Sequence, residues 1–215
     1  MSIIHRTTLT PTKLELLSTW LPTRPWYLGT AGAAEPAKVG GFRLDDPAGE
    51  VGIEFMVVTD GAVTYHVPLT YRSSPFDGAD DALVGTTEHG VLGKRWVYDG
   101  TRDPVLVGQL VALIQGGAAP QAQSETDTPD PTVQVRAVVA ASLVPAGCTA
   151  SDAPDGTLLR VEAGSAGELA VTVSRVLRDD AAREQDGDGY VTAPWRRPDG
   201  STARGVFATA TLHRG

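Results

Sequence analysis

Seven residues of this chain combine aromatic, basic or imidazole chemistry in patterns that suggest binding. Two of them lie on a short strand-like segment, YHVPLTYR at 65–72, and the other five lie in two Trp-containing clusters that adjoin basic residues. Such clusters can stack on a sugar or on a partner's side chain. They can equally be half-buried core whose basic groups reach solvent. The candidate binding residues are Trp26, Tyr27, His66, Arg72, Arg95, Trp96 and Tyr98.

The histidines do not occur at the spacing of metal ligands. His5, His66, His89 and His213 are far apart in sequence, and a Cys-x-x-Cys pair is impossible with a single cysteine. A zinc site would need long-range assembly that no motif indicates. The sequence therefore predicts no metal.

An acidic segment at 184–195, EQDGDGYVTAPW, imitates the start of a calcium-binding loop. Glu184, Asp186 and Asp188 alternate and precede Gly189. The closing position holds Trp195 where a calcium loop has a bidentate Glu. We therefore interpret the segment as a solvated acidic loop, and we expect calcium to leave the stability of the protein unchanged.

Nucleotide and nucleophile motifs are absent from the sequence. Gly93 and Lys94 resemble the end of a phosphate-binding loop, but Glu88 and Arg95 occupy positions that such a loop gives to Gly and to Ser or Thr. There is no G-x-G-x-x-G and no G-x-S-x-G. Cys148 has no basic neighbour in sequence that would activate it. The sequence predicts no catalytic residue and no cofactor.

Composition favours a globular protein without nucleic-acid or membrane partners. The 215 residues are 41% hydrophobic and 20% charged, with a net charge of −8. Neither half offers the basic face that a phosphate backbone requires. No apolar run approaches the ~18 residues of a membrane helix, and a single cysteine is typical of a reducing compartment. These features together predict a cytoplasmic protein.

The first half reads as a helix followed by an antiparallel meander. Thr10 and Pro11 precede TKLELLSTWL, which predicts a helix with Thr10 as its N-cap. Three strands are then predicted, separated by turn residues that include Asp60-Gly61. Their ranges are about 40–46, 50–59 and 62–72.

The Asp60-Gly61 turn assigns the two faces of the predicted hairpin. With these residues as a two-residue loop, Met56 pairs with Tyr65 and Phe55 with His66. Both faces are partly apolar, so we expect the sheet to be covered on both sides, with the N-terminal helix on one of them. His66 and Arg72 are predicted to face solvent.

The remainder predicts one more helix and a strand-rich second half. A helix is expected near 104–116 with Asp103 as N-cap, followed by a polar linker at 118–131. The predicted fold is α+β, dominated by a curved antiparallel sheet, with an α+β domain at 1–117 and a mostly β domain at 132–215. Strands are expected at about 132–143, 157–163, 168–177, 190–196 and 203–212.

Several stretches resemble, in the same order, the N-terminal cap of actinobacterial maltokinases. The resemblance covers about residues 10–117 and continues weakly to about 177. It implies a helix, a W-L-P…W-Y motif and a curved sheet that leads through a YD…DP stretch into a second helix. The stretches are WLPTRPWY at 20–27, GEVGIEFMVV at 49–58, YHVPLTYR at 65–72, DDALVGTTEHGVLGKRWVYDGTRDP at 80–104 and the helix VLVGQLVALI.

The same resemblance separates this chain from the kinase itself. Phosphoryl transfer in that class needs an Asn that binds metal, and the chain contains no Asn. The segment SRVLR also lacks a Lys where a nucleotide-binding Lys would lie. The resemblance therefore implies a non-catalytic cap-like module with a binding, regulatory or scaffolding role. It would bind a partner protein, a small ligand or a second copy of itself within maltose, trehalose or α-glucan metabolism. The alternative is a carbohydrate- or small-molecule-binding protein or enzyme with a cleft between its two halves.

Overall fold

The computed structural model describes residues 9–30, 32–125, 127–138, 145–162, 167–179 and 187–214. The described residues form two α-helices, α1 at Lys13–Trp20 and α2 at Pro104–Ile114, together with short 3₁₀ turns and fourteen strands. The strands are β1 Leu9–Thr10, β2 Ala37–Leu44, β3 Gly52–Asp60, β4 Val63–Arg72, β5 Leu83–His89, β6 Gly93–Asp99, β7 Gln121–Ala122, β8 Gln134–Arg136, β9 Gly147–Ala153, β10 Gly156–Glu162, β11 Glu168–Ser174, β12 Val176–Leu177, β13 Gly189–Arg196 and β14 Thr202–His213.

All strand pairs are antiparallel and belong to one sheet. Its main path runs β1-β5-β6-β4-β3-β2-β13-β14-β11-β10-β9, while β12 pairs with β4, β7 with β2 and β8 with β13. The prediction of an α+β fold dominated by antiparallel sheet is confirmed. None of the helices among the described residues is long and apolar enough to cross a membrane.

Helix α1 begins two residues later than predicted. Its N-cap is Thr12, whose Oγ1 accepts from the Glu15 N–H at 3.2 Å while the Glu15 carboxylate accepts from the Thr12 N–H at 2.6 Å. Thr10 is not the cap, because it lies in β1 and pairs with Glu88. A reciprocal cap of this kind satisfies two backbone donors at once, which explains why the helix starts where Glu15 is available.

The β3–β4 hairpin has the predicted faces and a different pairing. Asp60 pairs with Val63 and Val57 with His66, so the loop residues are Gly61 and Ala62 rather than Asp60 and Gly61. Gly61 has φ +57°, which a glycine adopts without strain. The register differs from the predicted one by two residues. Because side chains alternate with period two, that shift leaves every side chain on its predicted face.

The hairpin is buried on both faces, as predicted. One face packs Met56 and Tyr65 against Leu17 and Trp20 of α1. The other packs Phe55 and Val57 against α2 and strands of the second half. A sheet covered on both sides has almost no solvent-facing residues in its centre, and β4 is buried from Tyr65 to Thr70.

Helix α2 confirms the second helix prediction. Asp103 caps it, with Oδ1 accepting from the Val105 N–H at 2.9 Å, and Pro104 is its first residue. The helix ends at Ile114, two residues before the predicted end. Six of its residues are buried: Leu106, Val107, Leu110, Val111, Leu113 and Ile114.

The two predicted domains share the sheet and one core. Strand β13 pairs with β2, and one buried cluster contains Phe55 from the first half and Phe207 from the second. The predicted linker includes β7, which pairs with β2. The division into separate domains stays a prediction. Strand β9, which contains Cys148, is a further strand that the sequence did not predict.

Candidate functional site

An arginine from the second half fills a break in the edge of β4. That edge pairs with β12 at Thr64 and Tyr65 and with β6 from Leu69 onward. Between the two pairings the His66 N–H donates to the Arg175 carbonyl at 2.9 Å. The Arg175 side chain is fully buried and reaches from the level of His66 to Asp99, the partner of Leu69. It therefore occupies the space that a paired strand would otherwise fill.

The Arg175 guanidinium is the centre of a buried polar network. Its Nη2 donates to both oxygens of Asp99, at 2.7 and 2.6 Å, and to Thr101 Oγ1 at 2.8 Å. Its Nε donates to Thr157 Oγ1 at 2.8 Å. The guanidinium carbon lies 5.0 Å from the centre of the Trp26 ring, a cation–π contact. Three segments that are distant in sequence thus contact this one side chain: those of Trp26, of Asp99 with Thr101, and of Thr157.

The network keeps Asp99 ionised. Burial alone would raise the pKa of this carboxyl, but the charge and hydrogen bonds of Arg175, together with donors from Thr101, hold it below its ordinary value. A carboxylate in this state accepts hydrogen bonds and gives up no proton near neutral pH. Asp99 is thus suited to holding Arg175 in place and unsuited to general-acid chemistry.

His66 is buried beside this network, and the prediction that it faces solvent is wrong. Its exposed fraction is 1%, its Nδ1 lies 2.9 Å from the Ser174 carbonyl, and its ring lies 4.5 Å from Phe207. Nδ1 must carry the proton, since a carbonyl only accepts. Burial, reinforced by the charge of Arg175, lowers the His66 pKa to about 3. Residues of the second half, such as Phe207, cover the face of β4 that carries His66, and the alternating pattern of β4 alone could not indicate this.

Arg72 is engaged rather than exposed. Its Nε and Nη2 donate to the two carboxylate oxygens of Asp103, both at 2.7 Å, and its guanidinium carbon lies 4.4 Å from the Phe76 ring centre. The side chain is 21% exposed. The prediction of a solvent-facing Arg72 is therefore wrong, because the residue ties the end of β4 to the start of α2.

Trp26 and Tyr27 lie on the face of the sheet opposite His66, the face on which Trp26 contacts the Arg175 guanidinium. Trp26 is fully buried between Trp20 and Tyr65, so its ring presents no face to a ligand. Tyr27 stacks on Tyr65 and donates its hydroxyl to Asp60 at 2.5 Å. That hydrogen bond, with some desolvation, raises the Tyr27 pKa to about 12. This pair fastens the segment after α1 to the β3–β4 turn.

The structure brings together three of the seven candidate residues. Arg72 pairs with Trp96 across β4 and β6, and Tyr98 follows on the same face. Tyr98 is buried and accepts from the Phe76 N–H at 2.9 Å, whereas Trp96 is half-buried beneath Lys94, whose Nζ lies 5.0 Å from its ring. Arg95, being the neighbour of Trp96 in a strand, lies on the other face.

Comparison with known protein families finds a match for the part of the chain that contains Trp26, His66, Arg72 and Asp99. Residues 20–103 match the family model of the maltokinase N-terminal cap domain. Residues 20–103 are less than half of the chain; they are similar to that domain and are called the cap below. No kinase domain is matched in the rest of the chain. The resemblance inferred from the ordered motifs is confirmed.

The cap contains Asp99 but not the residue that neutralises it. Asp99 and Thr101 lie within the matched range, whereas Thr157 and Arg175 come from the segment beyond it. The buried charge of the cap is thus compensated from outside the cap. Sequence reasoning missed this network, although one signal was present: Arg175 is the single charged residue of the segment VTVSRVL.

A cleft lies where the cap meets β9. It has a volume of about 360 Å³ and is lined by Thr101, Arg102, Pro104, Val107, Cys148 and Ala150. Arg102 bridges it, donating to the Ala150 carbonyl at 2.6 Å and to Asp152 at 3.2 Å. Partial burial raises the pKa of the Cys148 thiol, and the nearby Arg102 opposes that effect.

The acidic segment considered for calcium is only partly described. Residues 184–186 lie outside the described residues, and Asp188 accepts from the Leu212 N–H at 2.8 Å. Among the parts of the chain that the structure describes, no group of three or more His, Cys, Asp or Glu residues is placed to hold a metal ion.

Proposed function

We propose that this chain is a non-catalytic binding or scaffolding module built on a maltokinase cap-like domain. Its place would be in maltose, trehalose or α-glucan metabolism. The metabolic part of the proposal rests on the family to which the matched segment belongs. A free cysteine is typical of proteins in a reducing compartment, so we further propose that the protein is cytoplasmic.

The observation that carries the proposal is the use made of the buried carboxylates. Four acids are buried among the described residues, and each serves a structural partner: Asp46, Glu54, Asp99 and Asp103. Asp46 accepts from the N–H groups of Glu50 and Val51 in its own turn. Asp99 and Asp103 hold arginines, as described above. A catalytic acid or base must instead reach a reacting group.

Glu54 illustrates the same point with a different set of partners. It forms an ion pair with Lys13 and accepts from the Tyr71 hydroxyl at 2.5 Å and from Gln123 Nε2 at 2.7 Å. Burial would raise the Glu54 pKa, but Lys13 and Tyr71 hold it below its ordinary value. The carboxylate thus joins α1, β3, β4 and the segment after α2, which favours a scaffold.

The proposal predicts that the purified chain does not phosphorylate maltose. With maltose, ATP and magnesium, we expect phosphorus NMR to show no maltose phosphate above the enzyme-free blank. We also expect calorimetry to show no magnesium-dependent ATP binding. An active maltokinase in the same assay is the control. Turnover, or saturable binding of ATP with magnesium, would contradict the non-catalytic part of the proposal.

The metabolic part has its own test. The gene should lie beside genes for enzymes of maltose, trehalose or α-glucan metabolism in the genomes that carry it. Consistent placement among unrelated genes would contradict this part and leave the scaffold proposal standing.

The cleft at β9 favours a second candidate function, the binding of a small carbohydrate. Cys148 lines this cleft and is the only cysteine of the chain, so its thiol is a specific reporter. Maltose, trehalose or maltose 1-phosphate bound there would slow the reaction of Cys148 with a chromogenic disulfide. The same sugars must not slow the reaction of glutathione, which is the control. Unchanged Cys148 kinetics with all three would contradict this candidate.

A further inference from the structure

Seven aspartates of this chain are followed directly by glycine, and such a pair can react with itself. The glycine nitrogen can attack the side-chain carboxyl of the aspartate, because glycine has no Cβ that would obstruct the approach. Six of the seven aspartates belong to the described residues, and Asp186 does not. The fold decides which of the six pairs has both reacting groups free. The seven are Asp60, Asp77, Asp99, Asp155, Asp186, Asp188 and Asp199.

Five of the described pairs are restrained by the fold. In one of them Asp155 precedes Gly156, which is buried and pairs with Ser174 in the sheet. In the other four, hydrogen bonds from other groups hold the aspartate carboxyl. A group must give up its hydrogen bond before it can react, and this loss opposes the reaction. The four held carboxyls are those of Asp60, Asp99, Asp188 and Asp199.

The pair Asp199-Gly200 shows this restraint most fully, because both of its reacting groups are bonded. Asp199 Oδ1 accepts from the N–H of Ser201 at 2.9 Å and from its hydroxyl at 2.6 Å. The Gly200 N–H donates to the Arg197 carbonyl at 2.9 Å. Both residues of the pair are nevertheless exposed. The pair therefore provides an internal control in which hydrogen bonding, and not burial, protects the aspartate.

The pair Asp77-Gly78 is exposed and has both reacting groups free. It lies at the centre of a turn in which the Ala79 N–H donates to the Phe76 carbonyl at 3.2 Å. Neither the Asp77 carboxyl nor the Gly78 N–H forms a hydrogen bond with another residue that the structure describes. Gly78 has φ +75°, and a Cβ placed there would meet no atom within 4 Å. The peptide between the two residues can therefore rotate towards the carboxyl without displacing a neighbour.

We propose that Asp77-Gly78 is a site at which the folded protein forms isoaspartate without an enzyme. The Gly78 nitrogen attacks Asp77 Cγ and forms a C–N bond, while its proton and the carboxyl hydroxyl leave as water. Water then adds to the backbone carbonyl carbon of Asp77 in this cyclic succinimide and breaks the bond from that carbon to the nitrogen. The backbone now runs through Cβ and Cγ, and the α-carboxylate becomes the side group. Water is released once and consumed once, so the product is an isomer with the same formal charge.

The modification adds one carbon to the backbone next to a residue that covers a buried ion pair. The Phe76 N–H donates to the Tyr98 hydroxyl at 2.9 Å, and the Phe76 ring lies against the guanidinium of Arg72, the partner of Asp103. We therefore expect the Phe76 amide to exchange with solvent faster in the modified protein than in the unmodified one. The modification does not depend on the proposed function, since it needs only this turn and water.

The test compares the seven pairs in folded and in unfolded protein. The full chain is incubated for weeks near neutral pH, one sample folded and one in concentrated urea, and both are digested with trypsin. Cleavage after Lys and Arg places Asp77 in the peptide 73–94 and Asp199 in the peptide 197–204. Isoaspartate is measured by chromatographic separation of the peptides of equal mass and by labelling of the new α-carboxylate with an isoaspartyl methyltransferase.

We expect the two peptides to differ only while the protein is folded. In the folded sample, isoaspartate should accumulate in 73–94 at least about tenfold faster than in 197–204, because hydrogen bonds at both reacting groups protect Asp199. In urea these hydrogen bonds are lost, so the two rates should become similar.

The control variant is Asp77→Glu, which keeps the charge but would have to close a larger ring. It should leave 73–94 without the isomer, with the circular dichroism and the melting temperature of the wild type. Equal rates for the two peptides in the folded protein would overturn the proposal. So would isomer in 73–94 that appears only in urea, since the fold would then protect Asp77 as it protects the other aspartates.

Discussion

Arg175 is the residue on which the interior depends most. It is fully buried, and the carboxylate that it neutralises is buried with it. Removing one partner of a buried ion pair leaves an uncompensated charge, whereas removing both can cost far less. We therefore expect the stabilising effects of Arg175 and Asp99 to be non-additive. Replacing either residue alone should lower the free energy of unfolding more than replacing one partner of an exposed ion pair.

We predict that Arg175→Met lowers the free energy of unfolding by about 3–5 kcal/mol. The double variant R175M/D99L should recover part of that loss. Arg160→Met is the matched control, because Arg160 also pairs with a carboxylate, Glu168, at 2.7 Å but on the surface, and it should cost no more than about 1 kcal/mol. Urea unfolding measures all three. Equal effects at the two arginines would show that the buried network contributes no more than a surface pair.

His66 provides a pH-dependent signature of burial. Its pKa is about 3 in the folded protein and about 6.5 in the unfolded chain. Between pH 3 and pH 6.5 the unfolded chain therefore binds more protons at His66 than the folded protein does. The contribution of neutral, buried His66 to the free energy of unfolding is complete above about pH 6.5 and is lost as the pH falls towards 3. Between pH 7 and pH 5 the wild type should lose about 2 kcal/mol more than His66→Gln.

The measurement is the free energy of unfolding of both proteins at the two pH values. His213→Gln is the control, because His213 is exposed and its replacement should leave the pH dependence of the wild type intact. A His66→Gln variant with the wild-type pH dependence would mean that His66 titrates normally in the folded protein.

At the scale of elements, the start of α1 distinguishes between two candidate N-cap residues, Thr10 and Thr12. Thr10 precedes a Pro and was the expected cap, but Thr12 has Glu15 three residues later and forms the reciprocal cap. We predict that Thr12→Ala lowers the free energy of unfolding by about 1 kcal/mol. Thr10→Ala should change it by less than about 0.5 kcal/mol, because Thr10 is exposed. Thermal unfolding of both variants tests this, and a larger loss for Thr10→Ala would restore the original interpretation.

Local signals in the sequence were sufficient for most elements of the first half. The three strands of the meander and helix α2 lie within about three residues of their predicted bounds, because turn residues and Asp103-Pro104 mark their ends. The faces of the hairpin were also right. Burial of His66 and Arg72 was not predictable locally, since the residues that cover them, Phe207 and Asp103, are distant in sequence or belong to another element.

At the scale of the whole molecule, the cap and the strands after it share one interior. The cluster around Phe55 combines α2 with residues of β10, β11, β13 and β14, and Asp99 depends on Arg175. We predict that residues 1–117 alone show no cooperative unfolding transition by circular dichroism, in contrast to the full chain. A cooperative, native-like melt of the fragment would establish the cap as an independent domain.

The break in the edge of β4 also sets the order of events during synthesis. Asp99 and its counterion are 76 residues apart, so a ribosome adding about 5–20 residues per second needs roughly 4–15 s to supply Arg175 after Asp99 has been made. Throughout that interval the nascent chain holds a cap whose buried acid lacks its partner and whose Phe55 face lacks the strands of the second half that cover it beside α2. Chaperones that bind exposed apolar strands have this interval in which to act. The segment synthesised first is therefore completed only when the last strands have emerged.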